Sequence, residues 1–486
     1  MLVIMGFAMV ITFMVLIMTK RLTPMVALIL VPTIFGLCAG AGLGLGDMIL
    51  ESIGKLAPTA ALLMFAIIYF GLMIDVGLFD PLVRFIVRAL GDDPAKVVLG
   101  TAILAAAVSL DGDGSTTFIV TTAAMLPIYL RLGMSPVVLT CVAGLANGTL
   151  NIVPWGGPTV RAAAALDVSP TEIFVPMIPS LIAGLIVTFA FAWFLGLGER
   201  KRVGSLSGYS IAATIESETS PISTFGGKPR RGLTRMLTGS RSGASADLDS
   251  PLTSAETVAT LVRADDTAMA DTMLDPNRET LRPKLIWFNF ALTVGVMVML
   301  VADLVPLPYV FMVGSAVALV ANFPQLKQQS KAILAHAPSV VGVVSMVMAA
   351  GVLIGVLNGT GMVTAMSDWL VTAIPDSMGP FLAVITGVLS IPMTFFMSND
   401  AFYFGMLPIL AESAANFGIE PISMARASII GQPVHLQSPL VPAILLLVSL
   451  ANVNLGDHHK KVLWRATVVS LVMLAVGIIL GVIPFG

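Results

Sequence analysis

The chain has 486 residues, of which 57% are hydrophobic and 11% charged, with a formal net charge of −2 and a mean hydropathy of +0.95. That composition excludes a soluble globular protein, and no basic aromatic patch suggests nucleic-acid binding. Two cysteines, Cys38 and Cys141, both in apolar surroundings, exclude a disulfide framework or a Cys-based metal site.

Apolar runs of spanning length recur at residues 2–19, 25–41, 57–78, 173–197, 285–301, 340–357 and 462–483. The expected fold is an all-α polytopic protein of a plasma membrane. The first run has no basic residues before it and Lys20-Arg21 directly behind it, so it reads as a helix, not a signal peptide. Lys20 and Arg21 put its C-terminal end in the cytoplasm. Residues 57–78 then return inward, delivering Arg84, Arg88 and Lys96, and residues 79–90 read as a short interfacial helix. We divide the chain into N-terminal helices (1–56), a first repeat (57–198), a disordered cytoplasmic linker (199–283), scaffold helices (284–336) and an inverted second repeat with a C-terminal helix (337–486). The linker is rich in Ser, Thr, Gly and Asp and lacks the apolar content to fold alone.

Ser109-Leu110-Asp111-Gly112-Asp113-Gly114-Ser115-Thr116-Thr117 interrupts an otherwise apolar stretch. Carboxylates at membrane depth are expensive and mark functional sites. Non-helical backbone is tolerated there only where protein or water covers it. The flanking Lys96 and Arg131 suggest a re-entrant hairpin from the cytoplasm. Asp111 and Asp113 are hard oxygen ligands for a divalent cation, or carboxyls able to take a proton; one of them also suits a helix cap. Ser115, Thr116 and Thr117 would offer hydroxyls and amides to an anion at a helix start, or simply cap it.

The segment that follows is broken by Asn147-Gly148-Thr149-Leu150-Asn151 and Pro154-Trp155-Gly156-Gly157-Pro158. Asn147, Thr149 and Asn151 are candidate substrate ligands, with Gly156 and Gly157 allowing close backbone approach; helix-packing glue is the alternative. Much later come Met397-Ser398-Asn399-Asp400 and Gln432-Pro433-Val434-His435-Leu436-Gln437-Ser438-Pro439. Ser398, Asn399, Gln432 and Ser438 join the substrate set, and Asp400 joins the metal or proton-coupling set. His435 is a candidate proton carrier, or a satisfied interior histidine. Arg161 and Arg426, the arginines inside the broken helices, fit snorkelling or pairing with Asp better than substrate contact.

The two halves echo each other. Ala57-Pro58-Thr59 recurs as Ala337-Pro338-Ser339, and Gly71 as Gly351. Met125-Leu126-Pro127-Ile128 recurs as Met406-Leu407-Pro408-Ile409, and Pro136 and Pro154 as Pro421 and Pro439. The separation drifts slowly, as loop changes within a repeat would produce. Basic clusters give the halves opposite orientations, so two re-entrant hairpins enter from opposite faces and two broken helices meet them, as in many secondary transporters. Ser115, Thr116, Asn147, Asn399 and Ser438 are expected to line one cavity. No phosphate-cradling loop, metalloprotease motif or ATPase domain is present, so transport would draw on an ion gradient.

With these motifs in hand, the chain resembles the bacterial citrate–divalent metal:proton symporter family of the ion transporter superfamily. The resemblance rests on Met18-Thr-Lys-Arg-Leu22, Ser109-Leu-Asp-Gly-Asp-Gly-Ser-Thr-Thr117, Pro154-Trp-Gly-Gly-Pro-Thr159, Met397-Ser-Asn-Asp400, Gly431-Gln-Pro-Val-His435 and Ser438-Pro-Leu-Val-Pro442. It implies a non-enzymatic secondary transporter that takes up citrate complexed with Mg²⁺ or Ca²⁺, driven by protons. It also implies a dimeric, elevator-type fold and no permanently bound cofactor. A transporter of another anion, such as a dicarboxylate, gluconate or arsenite, would share the fold but not need a divalent metal. An intramembrane aspartyl protease using Asp113 and Asp400 would lack the expected Gly at Leu110 and has no use for the repeat.

Overall fold

The structure is a computed structural model describing all residues except 20, 91–92, 113, 219–277, 303 and 376, with backbone only at 18, 87, 89–90 and 205–218. The expected Asp113 site and the central part of the expected linker therefore lie outside the described residues. Among those described, the regular structure is helical throughout. The chain opens with α1 (Leu2–Met18), α2 (Pro24–Cys38), α3 (Leu45–Asp75) and α4 (Asp80–Leu90). Next come a hairpin of α5 (Pro94–Val108) and α6 (Gly114–Arg131), a broken helix of α7 (Pro136–Leu150) and α8 (Gly157–Leu166), and the long α9 (Ile178–Glu218). After residue 277, α10 (Ile286–Ala302), α11 (Leu307–Asn322) and α12 (Leu326–Ala335) lead to α13 (Ala337–Gly359) and α14 (Met362–Ala373). A second hairpin of α15 (Leu382–Phe396) and α16 (Leu407–Ala415) follows, then a second broken helix from α17 (Pro421–Ser428) to α18 (Pro442–Leu450), and α19 (Leu455–Ile479).

Seven helical stretches among the described residues are long and apolar enough to cross a membrane. Two of them, Pro94–Asp111 and Gly379–Phe396, contain the first arms of the hairpins, because composition does not separate a full crossing from a hairpin arm.

Two boundaries differ from the sequence reading. The helix expected from residue 57 starts at Leu45, its polar first turns carrying an i,i+4 pair of Lys55 and Glu51 at 3.1 Å. The polar segment expected to be irregular from residue 199 begins as a continuation of α9 to Glu218. The start of that extension is tied down. Glu199 accepts from Ser135 N at 2.9 Å, Arg200 grips Asp93 with two nitrogens, and Arg202 donates to Gly133 O at 2.6 Å. Asp93 itself caps α5 through Ala95 N. Both arms of the first hairpin and the start of α7 are thus fastened to the middle of α9, while Thr101 and Tyr129 share a hydrogen bond between the arms.

The α3 and α13 helices pack antiparallel, and glycine is what lets them approach. A Cβ on Gly71 would stand 2.5 Å from the His336 ring, just before α13; one on Gly351 would stand 2.8 Å from Ile53 Cγ1; one on Gly355 would stand 3.0 Å from Ile49 Cα. The last carbonyls of α3 are capped from across the chain. Arg278 donates to Asp75 O at 3.0 Å and pairs with Asp80 at 3.1 Å, and Thr280 donates to Asp75 O.

Candidate functional site

The polar interruptions seen in the sequence become four places where helices stop inside the bundle. In the first hairpin, α5 ends in a 3₁₀ turn and Gly112 takes a left-handed φ of +78°; this conformation favours glycine. A Cβ there would also meet the Trp155 ring at 2.9 Å. Trp155, from the break between α7 and α8, donates its indole N–H to Leu110 O at 2.9 Å. Tip and break are therefore one unit. Within the break, Gly156 N donates to Val153 O at 2.7 Å and Thr159 Oγ1 to Ile152 O at 2.8 Å. These bonds satisfy backbone groups that hydrocarbon would leave bare.

In the second hairpin, Met397 is extended and Ser398 Oγ accepts from Ala401 N at 3.2 Å. A π-helical turn over Ala401–Met406 follows, a form found often at functional sites. The second break is knitted by Ser438, whose Oγ donates to Phe395 O at 2.6 Å and accepts from Leu440 N at 3.2 Å.

The two broken helices cross where side chains are absent. A Cβ on Gly148 would lie 2.9 Å from Pro433 Cα. Gln437 Nε2 donates to Gly144 O at 2.9 Å, and Gln437 Oε1 lies 3.1 Å from His458 Nε2.

Amides link three of the four interruptions. Asn151 Nδ2 donates to Gln432 Oε1 at 3.0 Å, while Gln432 Nε2 donates to Asn399 Oδ1 at 3.3 Å and to Tyr403 OH at 2.9 Å. Beside this bridge, Arg161 Nε donates to Asp400 Oδ1 at 2.6 Å. Both partners are largely buried, with side-chain exposures of 21% and 10%.

A cavity of about 380 Å³ lies between α3, the start of α13, the first hairpin tip and the α7–α8 break. That is within the roughly 300–1,000 Å³ typical of small-ligand clefts. Asp111, Gly112, Thr116, Trp155, Gly157 and Arg161 line it on one side, and Phe70, His336 and Ser339 on the other.

The sequence candidates distribute as follows. Asp111, Thr116 and Gly157 are on the cavity wall. Ser115 is half-buried in the first turn of α6, and Thr117 lies 3.3 Å from Ser109 Oγ. Asn147 sits behind the tip, 3.6 Å from where a Gly114 Cβ would be. Gly156 is turned into the break itself. Asn151, Asn399 and Gln432 form the amide bridge, and Ser398 and Ser438 are engaged with backbone. Thr149 stands apart: its hydroxyl donates to Leu145 O at 2.7 Å and meets Thr188 of α9 at 3.2 Å. His435 is enclosed, with Nδ1 on the Thr394 carbonyl. Arg426 is remote, bonded to Glu172 O at 2.9 Å.

Two cavity features were missed in the sequence. His336 lines the wall and pairs with Asp75 at 2.9 Å. The signal was a carboxylate inside the apolar run 57–78, which burial in a membrane makes expensive unless it is partnered. Trp155 was noted only as part of a motif, although it packs tilted against Phe70 at 5.2 Å and edge-to-face against Phe311 at 5.3 Å between ring centroids.

Among the described residues, paired hairpins and paired helix breaks around a charged cavity form the architecture of a multi-pass membrane transporter. Comparison narrows the class. The citrate transporter family model matches residues 3–431, and the chain belongs to that family, which is one of secondary transporters. It is 45% identical to a citrate transporter of Bacillus subtilis over 485 residues, covering 100% of both chains. It is 42% identical to the Mg(2+)/citrate complex secondary transporter of the same organism, covering 99% of each. Among solved structures, the YdaH transporter of Alcanivorax borkumensis aligns with a TM-score of 0.45 at 13% identity, covering 89% of this chain and 86% of that one.

Proposed function

We propose that the protein takes up citrate as a complex with a divalent metal ion, of the Mg²⁺ or Ca²⁺ type, driven by protons. The observation that carries this reading is the presence of both a carboxylate, Asp111, and a guanidinium, Arg161, on one cavity wall. An ionised Asp repels free citrate, so Asp111 suits the substrate only if a cation lies between them or if the Asp is protonated on binding. A metal complex supplies that cation. Thr116 adds a hydroxyl, and the start of α6 adds a helix N-terminus beside it.

Proton coupling we assign to Asp111 and its sequence neighbour Asp113, not to His435, which is enclosed with its Nδ1 on a carbonyl. Asp400 supports the site through Arg161. The bundle end carrying Arg84, Arg88, Lys96 and Lys331 is taken as cytoplasmic, so the cavity, which reaches His336 and Ile74 at that end, opens inward. The matched hairpins, breaks and antiparallel α3 and α13 favour an inverted repeat, and the family resemblance favours a homodimer working by elevator motion.

Labelled citrate uptake into proteoliposomes, with an imposed pH gradient and with or without EDTA, tests the reading. Uptake that is stimulated by the gradient and abolished by EDTA supports it. Uptake of citrate or another anion that ignores EDTA replaces it with metal-independent anion transport on the same fold.

A further inference from the structure

We propose that Arg161 is the carboxylate anchor of this cavity and that Asp400 is its positioning residue. The inference rests on the reading of the cavity as the citrate–metal site and assigns one end of it.

Arg161 is divided between two environments. Its Nε is committed to Asp400 at 2.6 Å. Its terminal nitrogens accept no such commitment: among the described residues neither donates to a protein acceptor, and the side chain lies on the cavity wall. Among the described residues, Arg161 is the only arginine or lysine on that wall. A guanidinium held through Nε still presents two N–H groups side by side, the spacing that a carboxylate accepts with both oxygens.

The backbone is shaped for this pose. Nη1 lies over Gly157, where a Cβ would stand only 2.6 Å away. Any larger residue at 157 would displace the guanidinium, so the glycine and the arginine one helical turn later form a single device. Asp400 comes from the tip of the second hairpin, in the other half of the chain. It fixes the plane of the guanidinium and offsets its charge when the cavity is empty. Citrate has three carboxylates and a hydroxyl, and a metal ion that engages some of these leaves at least one carboxylate oxygen pair for another donor. With Asp111 on the same wall, the cavity has a pole for the metal and a pole for the free carboxylate.

The test is KM and kcat for Mg²⁺–citrate in proteoliposomes, beside uptake of citramalate, which lacks one carboxymethyl carboxylate. Arg161→Gln is expected to raise KM for citrate about tenfold or more, the scale of a lost charge-assisted pair, with kcat less affected. It is also expected to erase the preference for citrate over citramalate, which a purely structural role would leave in place. Arg161→Lys should fall between, since an ammonium keeps the charge but not the fork; it also provides the reading if Arg161→Gln does not fold. Asp400→Asn should raise KM by less than Arg161→Gln, and the double variant should be no worse than Arg161→Gln alone. A folded Arg161→Gln or Arg161→Lys with wild-type KM and wild-type discrimination overturns the anchor while leaving citrate transport intact. If the wild type carries a different carboxylate and not citrate, the function reading fails, and the anchor is then judged on that carboxylate by the same KM criterion.

Discussion

Arg161 and Asp400 meet at 2.6 Å although they lie 239 residues apart, one at the helix break of the first half and the other at the hairpin tip of the second. Removing one partner of a buried ion pair leaves an uncompensated charge, typically at a cost of about 3–5 kcal/mol. The cavity gives Arg161 some access to water, so the low end of that range applies. Asp400→Leu alone should therefore destabilise more than the Asp400→Leu/Arg161→Met double variant does. A double-mutant cycle on thermal unfolding in detergent checks this, with a coupling above about 1 kcal/mol expected. Additive effects would mean that the pair contributes nothing as a pair.

Gln432 is the hub of the amide bridge, in contact with Asn151, Asn399 and Tyr403. Gln432→Ala removes hydrogen bonds from half-buried Asn151 and Asn399 and from Tyr403, whose hydroxyl keeps its bond to Ser428 O, and each buried group left unpaired costs about 1–3 kcal/mol before water or relaxation intervenes. The expected outcome is a clear fall in unfolding temperature together with lost uptake. Gln432→Glu keeps the acceptor to Asn151 but loses the donors to Asn399 and Tyr403, so it should not rescue.

Gly148 lies where the two broken helices cross, with no room for a Cβ against the Pro433 backbone. Gly148→Ala should cost about 1–3 kcal/mol by overpacking, and Gly148→Val should prevent stable folding. Gly54, with nothing near its Cβ position, is the control: Gly54→Ala should be neutral or slightly stabilising in its helix. Yield and thermal stability of the purified variants decide the matter.

The interruptions were legible in the sequence because Asp, Asn and Gly inside apolar runs carry a cost that only a site or a buried network offsets. The partners were not, since Arg161 with Asp400 and Asn151 with Gln432 depend on how the halves dock. Thr149 shows a periodicity that was available but unused. Asn147 and Asn151 are four residues apart and share a face, whereas Thr149 sits two from each, roughly 200° around the helix. It accordingly faces Thr188 of α9 and not the first hairpin. The start of α3 at Leu45 was hidden because its first turns are polar, and the hydropathy pattern marks the membrane-embedded part of a helix rather than its end.

That difference of face gives a paired prediction. Thr149→Val should leave KM for citrate unchanged and lower stability modestly, by about 1 kcal/mol for a lost buried hydrogen bond. Thr116→Val, on the cavity wall, should raise KM for citrate. The reverse pattern would place the substrate on the α9 side of α7.

The most direct test of the central claim is dual-label accumulation: radiolabelled citrate and radiolabelled calcium or manganese followed together in proteoliposomes with an inward proton gradient. Metal and citrate are expected to enter together in a fixed ratio, each requiring the other, and collapsing the gradient should stop both. Citrate accumulation without accompanying metal would contradict it.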